Sequence, residues 1–334
     1  MNLLAKLRID GFLLGLFVVM AIGVFLPAPG EAGQMVETAT KIAIAVLFLL
    51  YGTRLEPREA LEGLKHWRLH TTVLAATYVL FPLLGLAMKV LVPSVLTVDL
   101  YTGMLYLCLL PSTVQSSIAF TSIARGNVAA AVVSASASNM LGIFVTPLLV
   151  TLLMQTSGGA TVSAKSILEI VVQLLLPFIA GQLLRSKLQG VLAHTTLTKV
   201  VDRGSVYLVV YAAFSAGMAE HIWTGMKVSS ILAVVAVSVV LLAVVLGVTA
   251  GAARVLGFDR ADRIVIIFCG SKKSLATGLP MATVLFAGHP VGLIVLPLMI
   301  FHQIQLITCA WLSGRWGRQA EALEGSESEL VAPA

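Results

Sequence analysis

The chain has 334 residues, 58% of them hydrophobic and 11% charged, with a mean hydropathy of +0.97. Soluble domains carry about 25% charged residues, so a water-soluble fold would leave large apolar patches bare, and the composition specifies an integral membrane protein. The net charge of +6 is explained by where the basic residues fall, which excludes nucleic acid as their partner.

No Asp, Glu, Lys or Arg occurs from Gly11 to Gly30, Leu100 to Ala124, Gly126 to Ala164, Val228 to Ala253, or Ser274 to Gly314. A bilayer core of about 30 Å takes roughly 20 apolar residues per helix. The first block lacks a small-x-small cleavage site followed by a polar chain, so it reads as a retained span and not a signal peptide. With charges as boundaries, ten helices are predicted at 11–27, 39–53, 70–92, 100–125, 128–152, 166–184, 204–222, 229–253, 262–287 and 291–314. An internal N-terminus places 16 of the 22 Lys and Arg residues in inner loops, four outside, and Lys272 and Lys273 at membrane depth. That bias predicts a multi-pass protein of the inner (plasma) membrane with both termini cytoplasmic. Membrane lipid is then the partner of the basic loops. The mixed-charge stretch Arg54–His70 reads as a surface helix, and 319–334 as a disordered cytoplasmic tail. Cys108, Cys269 and Cys309 are odd in number and far apart, which fits packing better than a disulfide or a metal knuckle.

Five crossings before an equal second set invert that set. The predicted division is a first five-helix repeat over 1–153 and an inverted second repeat over 164–318. Matching positions of the halves carry helix-breaking runs. The fourth span holds Pro111-Ser112-Thr113-Val114-Gln115-Ser116-Ser117, and the ninth holds Gly270-Ser271-Lys272-Lys273-Ser274. Proline removes a backbone donor, and a helix broken at membrane depth survives only against a cavity or other protein. Ser112, Thr113, Gln115, Ser116, Ser117, Ser271, Lys272, Lys273 and Ser274 are therefore candidate substrate or ion ligands. The bland alternative is a pair of structural kinks. Ser134, Ser138 and Asn139 on the fifth helix, and His302 and Gln303 on the tenth, are further candidates, although small polar residues also serve close helix packing. A lysine near the bilayer centre costs about 2.5–3.5 kcal/mol on insertion scales and usually faces a cavity. It can attract an anion or exchange a proton; otherwise it snorkels or caps a half-helix.

Three runs, Pro111-Ser112-Thr113 to Ser117, Ala124-Arg125-Gly126-Asn127-Val128-Ala129 and Thr146-Pro147-Leu148-Leu149, resemble the signature of the bile acid:sodium symporter (SBF-like) superfamily. The run Gly270-Ser271-Lys272-Lys273-Ser274-Leu275-Ala276-Thr277-Gly278 is similar to its orphan branch, which lacks the usual sodium-site glutamate. The resemblance implies an all-α fold of ten helices in two inverted repeats. A panel domain takes helices 1, 2, 6 and 7, and a core domain the rest, with broken helices 4 and 9 crossing in it. It also implies alternating-access transport of organic anions driven by sodium.

Carried over residue by residue, the family's Ser-Asn ligand pair falls on Ser116 and Ser117, or on Ser117 and Ile118 when aligned from the Arg-Gly-Asn turn. Hydroxyl ligands of the next helix fall on Ala131 and Ala135, beside Ser134 and Ser138. The sodium-site glutamate falls on Phe268 and a ligand glutamine on Lys272. No Asp or Glu occurs between Leu100 and Leu168 or between Arg263 and Ala320. The expectation is a weak sodium site at most, at Ser116 and Ser117, with Lys272 or Lys273 standing in for the coupling cation. The coupling ion, sodium or proton, stays open, and no cofactor is implied. The predicted function is secondary active transport of an organic anion, bile-acid-like or another carboxylate or sulfate metabolite, by alternating access. A membrane regulator or scaffold with a decayed transport site is the alternative. An intramembrane enzyme is disfavoured, since no His-Glu metal motif or Gly-x-Ser-x-Gly elbow is present.

Overall fold

A computed structural model describes residues 11–54, 66–154, 171–188, 195–219 and 227–331. Among these the fold is all-helical, without strands. Helix α1 spans Gly11–Phe25 and α2 spans Gly30–Arg54. The second helix begins nine residues before the predicted 39 because its polar start is itself a good helix: Glu31 lies in the first turn, and Glu37 pairs with Lys41 at 2.6 Å. Helix α3 spans Trp67–Leu91 with a π turn at Ala76–Leu80, which Phe81 separates from Pro82. The fourth predicted crossing is two pieces, α4 (Val98–Leu109) and α5 (Gln115–Ile123), followed by α6 (Val128–Met154). Helix α7 covers 171–183, α8 Thr195–Ala219 and α9 Val228–Val255. The ninth predicted crossing is also two pieces, α10 (Arg260–Gly270) and α11 (Leu275–Leu285). Helix α12 spans Val291–Val331.

Six of these segments, Gly30–Thr53, Trp67–Leu91, Val128–Met154, Val228–Val255, Arg260–Leu285 and Val291–Ala320, are long and apolar enough to cross a membrane, and Leu14–Phe25 and Val98–Leu109 are shorter apolar helices. Residues 319–331 of the tail expected to be disordered instead continue α12, because Gln319-Ala320-Glu321-Ala322-Leu323-Glu324 is a run of strong helix formers, and 332–334 lie outside the described residues. Most of the Arg54–His70 segment lies outside the described residues, as do 155–170, which include the predicted start of the sixth helix.

Packing falls into two groups. Helices α1, α2, α7 and α8 lie together, α2 and α7 so closely that a Cβ built on Gly52 would strike the Phe178 carbonyl and one on Gly181 the Leu49 carbonyl. The second group gathers α3–α6 and α9–α12 around α10–α11, in which 94% of the apolar window is buried against 28% in α9. Helix α9 therefore turns Val239, Val240, Val244 and Val248 outward, as lipid contact requires, while α10–α11 forms the protein's centre. All three cysteines are buried.

Candidate functional site

The two interruptions touch. Freed backbone groups inside an apolar environment must find partners, and those from Leu107 to the Ser112 amide at the first break do so. The Leu107 carbonyl accepts from the Leu110 amide at 3.4 Å, and the Leu109 carbonyl accepts from Thr146 Oγ1 at 2.8 Å. The Cys108 and Leu110 carbonyls both accept from Lys273 Nζ, at 2.9 and 2.7 Å. The Pro111 carbonyl accepts from the Ser274 amide. On the donor side, the Ser112 amide donates to Ser138 Oγ at 3.1 Å.

The second break is closed by the first and by α12. Ser112 Oγ donates to the Cys269 carbonyl at 2.6 Å and Ser117 Oγ to the Phe268 carbonyl at 3.4 Å. Gln305 holds the Lys273 peptide from both sides: its Oε1 accepts from the Lys273 amide and its Nε2 donates to the Lys273 carbonyl, each at 2.9 Å. The same Nε2 lies 2.8 Å from His302 Nδ1. Since the amide nitrogen only donates, this ring nitrogen is the acceptor and the neutral imidazole carries its proton on Nε2. Ser274 caps α11, its Oγ accepting from the Thr277 amide at 3.2 Å, and Thr277 Oγ1 donates to Asn139 Oδ1 at 2.8 Å.

The adjacent lysines diverge because they sit in non-helical chain. Both are wholly buried. Lys273 Nζ turns toward α3 and α4, where it also donates to the Thr77 carbonyl at 2.9 Å and lies 4.0 Å from the Phe81 ring centroid. Lys272 Nζ turns toward α5, donating to the Ser116 carbonyl at 2.8 Å, with the Phe120 and Phe268 centroids at 3.9 and 5.3 Å. Among the described residues neither ammonium pairs with a carboxylate. An ammonium has three donors; Lys273 spends all three on carbonyls, and Lys272 spends one among the described residues. The crossing is thus an electropositive centre suited to an anion.

Of the predicted ligands, Ser112, Ser117, Ser138, Asn139, Ser274, Lys272, Lys273 and His302 converge here, and Ser271 is buried beside them. Thr113 Oγ1 engages Ser116 Oγ at 2.7 Å and Ser117 Oγ at 3.2 Å, so the hydroxyls of the proposed sodium pair are already linked to each other through Thr113. Gln115 is exposed on α5. Ser134 is turned to His70, 2.7 Å from its Nδ1. Gln303 is half-buried on a different face of α12 from Gln305 and does not join the network.

Three contributors were not singled out as ligands from the sequence. Gln305 shares a helix face with His302 at i+3, a spacing that would have identified it. The Thr77 carbonyl is exposed by the π turn. At the ends of α5, α6 and α10, Asn127 caps α6 by accepting from the Ala130 amide at 3.0 Å and donates Nδ2 to buried Asp262 at 2.9 Å.

The model of the SBF-like CPA transporter family matches residues 10–318. The chain is 49% identical to "Uncharacterized protein PA2026" of Pseudomonas aeruginosa over 93% of its length and 94% of that protein's. It is 48% identical to "Putative symporter YfeH" of Escherichia coli over 96% of each. "Sodium/bile acid cotransporter 7" of Danio rerio is 29% identical over 94% of this chain and 98% of that protein. Interrupted helices that meet at two lysines, together with a match along nearly the whole sequence, make this chain a member of the SBF-like transporter family within the bile acid:sodium symporter superfamily, a membrane transporter and not an enzyme.

Proposed function

We propose that the protein is a secondary active transporter that moves an organic anion, a carboxylate or sulfate, by alternating access. In this reading two inverted five-helix repeats give ten crossings, both termini are cytoplasmic, and α4–α5 and α10–α11 are the broken pair at the substrate path. The observation that carries it is the pair of wholly buried ammonium groups at the contact of two interrupted helices, with no carboxylate among the described residues to neutralise them. Burying such a charge without a counterion is costly, and a transported anion supplies the missing charge. Lys272, with two donors unspent and two aromatic faces beside it, is the group the anion meets, and it takes the electrostatic place of a coupling cation. Sodium is then dispensable, although a relative's name joins sodium to bile acid.

The test is counterflow in proteoliposomes, with labelled taurocholate and a panel of small carboxylates and sulfates, in sodium chloride and in choline chloride. The expected result is exchange of at least one anion at rates within about twofold in the two salts, abolished by Lys272→Ala. A steep dependence on sodium, or undiminished exchange by Lys272→Ala, would refute the substitution of ammonium for cation.

A further inference from the structure

We propose that Lys273 fills a monovalent-cation site built into the fold, a carbonyl cage that takes a free ammonium or potassium ion once the lysine side chain is removed. The cage is made by sequence, element by element. At the π turn of α3 the Phe81 amide, the ordinary helical partner of the Thr77 carbonyl, donates instead to the Ala76 carbonyl. The next residue, Pro82, has no N–H to offer, so the Thr77 carbonyl is left for another donor. On α4, the helical partner of the Cys108 carbonyl is the Ser112 amide, which has gone to Ser138 Oγ. The Leu110 carbonyl stands beyond the end of α4, where Pro111 stops the helix. Three orphan carbonyls from two helices thus converge on one point, together with the face of Phe81 4.0 Å away.

Oxygens at 2.7, 2.9 and 2.9 Å around a wholly buried nitrogen are spaced as charge-assisted hydrogen bonds are. Rings of carbonyl dipoles are also what replaces the water shell of a bare cation in selective pores. The void is cut to an ammonium ion, which favours ammonium and potassium over the smaller sodium. Lys273 is therefore a positioning residue: it ties α3 to the end of α4, while its own peptide is fixed by Gln305. This assignment concerns a different ammonium from the one offered to the transported anion, and it stands or falls without any transported solute.

The experiment is thermal unfolding of purified protein in detergent, in chloride salts of ammonium, potassium, sodium and N-methylglucamine at equal ionic strength. Wild type should melt at one temperature in all four. Lys273→Ala in N-methylglucamine should melt roughly 10 °C lower, three buried acceptors having lost their donors. Ammonium and potassium should restore at least half of that loss saturably, and sodium less. Equal melting of Lys273→Ala in all four salts overturns the proposal. So does a Lys273→Met variant as stable as wild type, since methionine fills the stem's space without donors. Should neither variant fold, amine methylation of wild type mapped by mass spectrometry decides: Lys273 should stay unmodified while exposed Lys227 reacts, and equal reaction overturns the cage.

Discussion

The amide of Ser274 donates to the carbonyl of Pro111 across 2.8 Å. Each of these residues lies in the interruption between two helices, so the backbone of one interruption completes the backbone of the other. Neither break would be satisfied alone, and the crossing is expected to behave as one unit.

Gln305 supports this unit from α12. Gln305→Leu keeps the side-chain volume but removes the bonds to both polar groups of the Lys273 peptide. A loss of about 2–4 kcal/mol is expected, from a buried N–H and C=O left unpaired, read as a lowered melting temperature. Gln303→Leu, on the neighbouring face, should change stability by less than about 1 kcal/mol.

Lys272 and Lys273 should separate in their phenotypes. Lys272→Ala removes one hydrogen bond and two ring contacts and should lower the melting temperature by only a few degrees while anion exchange is lost. Lys272→Arg, which keeps the charge, should retain part of the exchange. Paired melting and counterflow measurements on both variants check this; parallel loss of stability and exchange in Lys272→Ala would contradict it.

Asn127 is expected to matter more than its carboxylate partner's charge. Asn127→Ala removes an N-cap, worth about 1 kcal/mol, and leaves buried Asp262 without its amide donor. Asp262→Asn keeps an oxygen that can accept from Asn127 Nδ2. Melting curves should rank Asn127→Ala as the less stable of the two.

The close approach of α2 and α7 gives a steric prediction. Gly181→Ala drives a methyl into the Leu49 carbonyl, and Gly52→Ala drives one into the Phe178 carbonyl. Each should cost about 1–3 kcal/mol by overpacking. The double variant should cost less than the sum, because the first substitution already separates the helices.

Much of this site was legible in the sequence. Pro111 and the Gly270-Ser271-Lys272-Lys273 run sit where the structure breaks its helices, since proline and buried charge are local signals. The uncharged blocks located several of the long apolar helices to within a few residues; the exceptions are α2, where Glu31, Glu37 and Lys41 make a polar stretch helical, α8, which begins at Thr195 and not at 204, and α12, which runs on to Val331. The direction of each lysine was not legible. Neighbouring residues in irregular chain follow no helical period, and only the three-dimensional path sends Lys273 to α3 and Lys272 to α5. Nor could the Thr77 carbonyl be foreseen, because a backbone acceptor leaves no mark on residue identity. The choice between Gln303 and Gln305 turned on the rotation of α12, which periodicity with His302 would have resolved.

The complete burial of Cys108, Cys269 and Cys309 has a practical consequence. Water-soluble sulfhydryl probes have no native target in this conformation, so a single engineered thiol at Lys227, which is exposed at the start of α9, can be labelled on an unaltered background. If α10 and α11 open during turnover, Cys269 begins to react, and the wild-type chain reports its own motion.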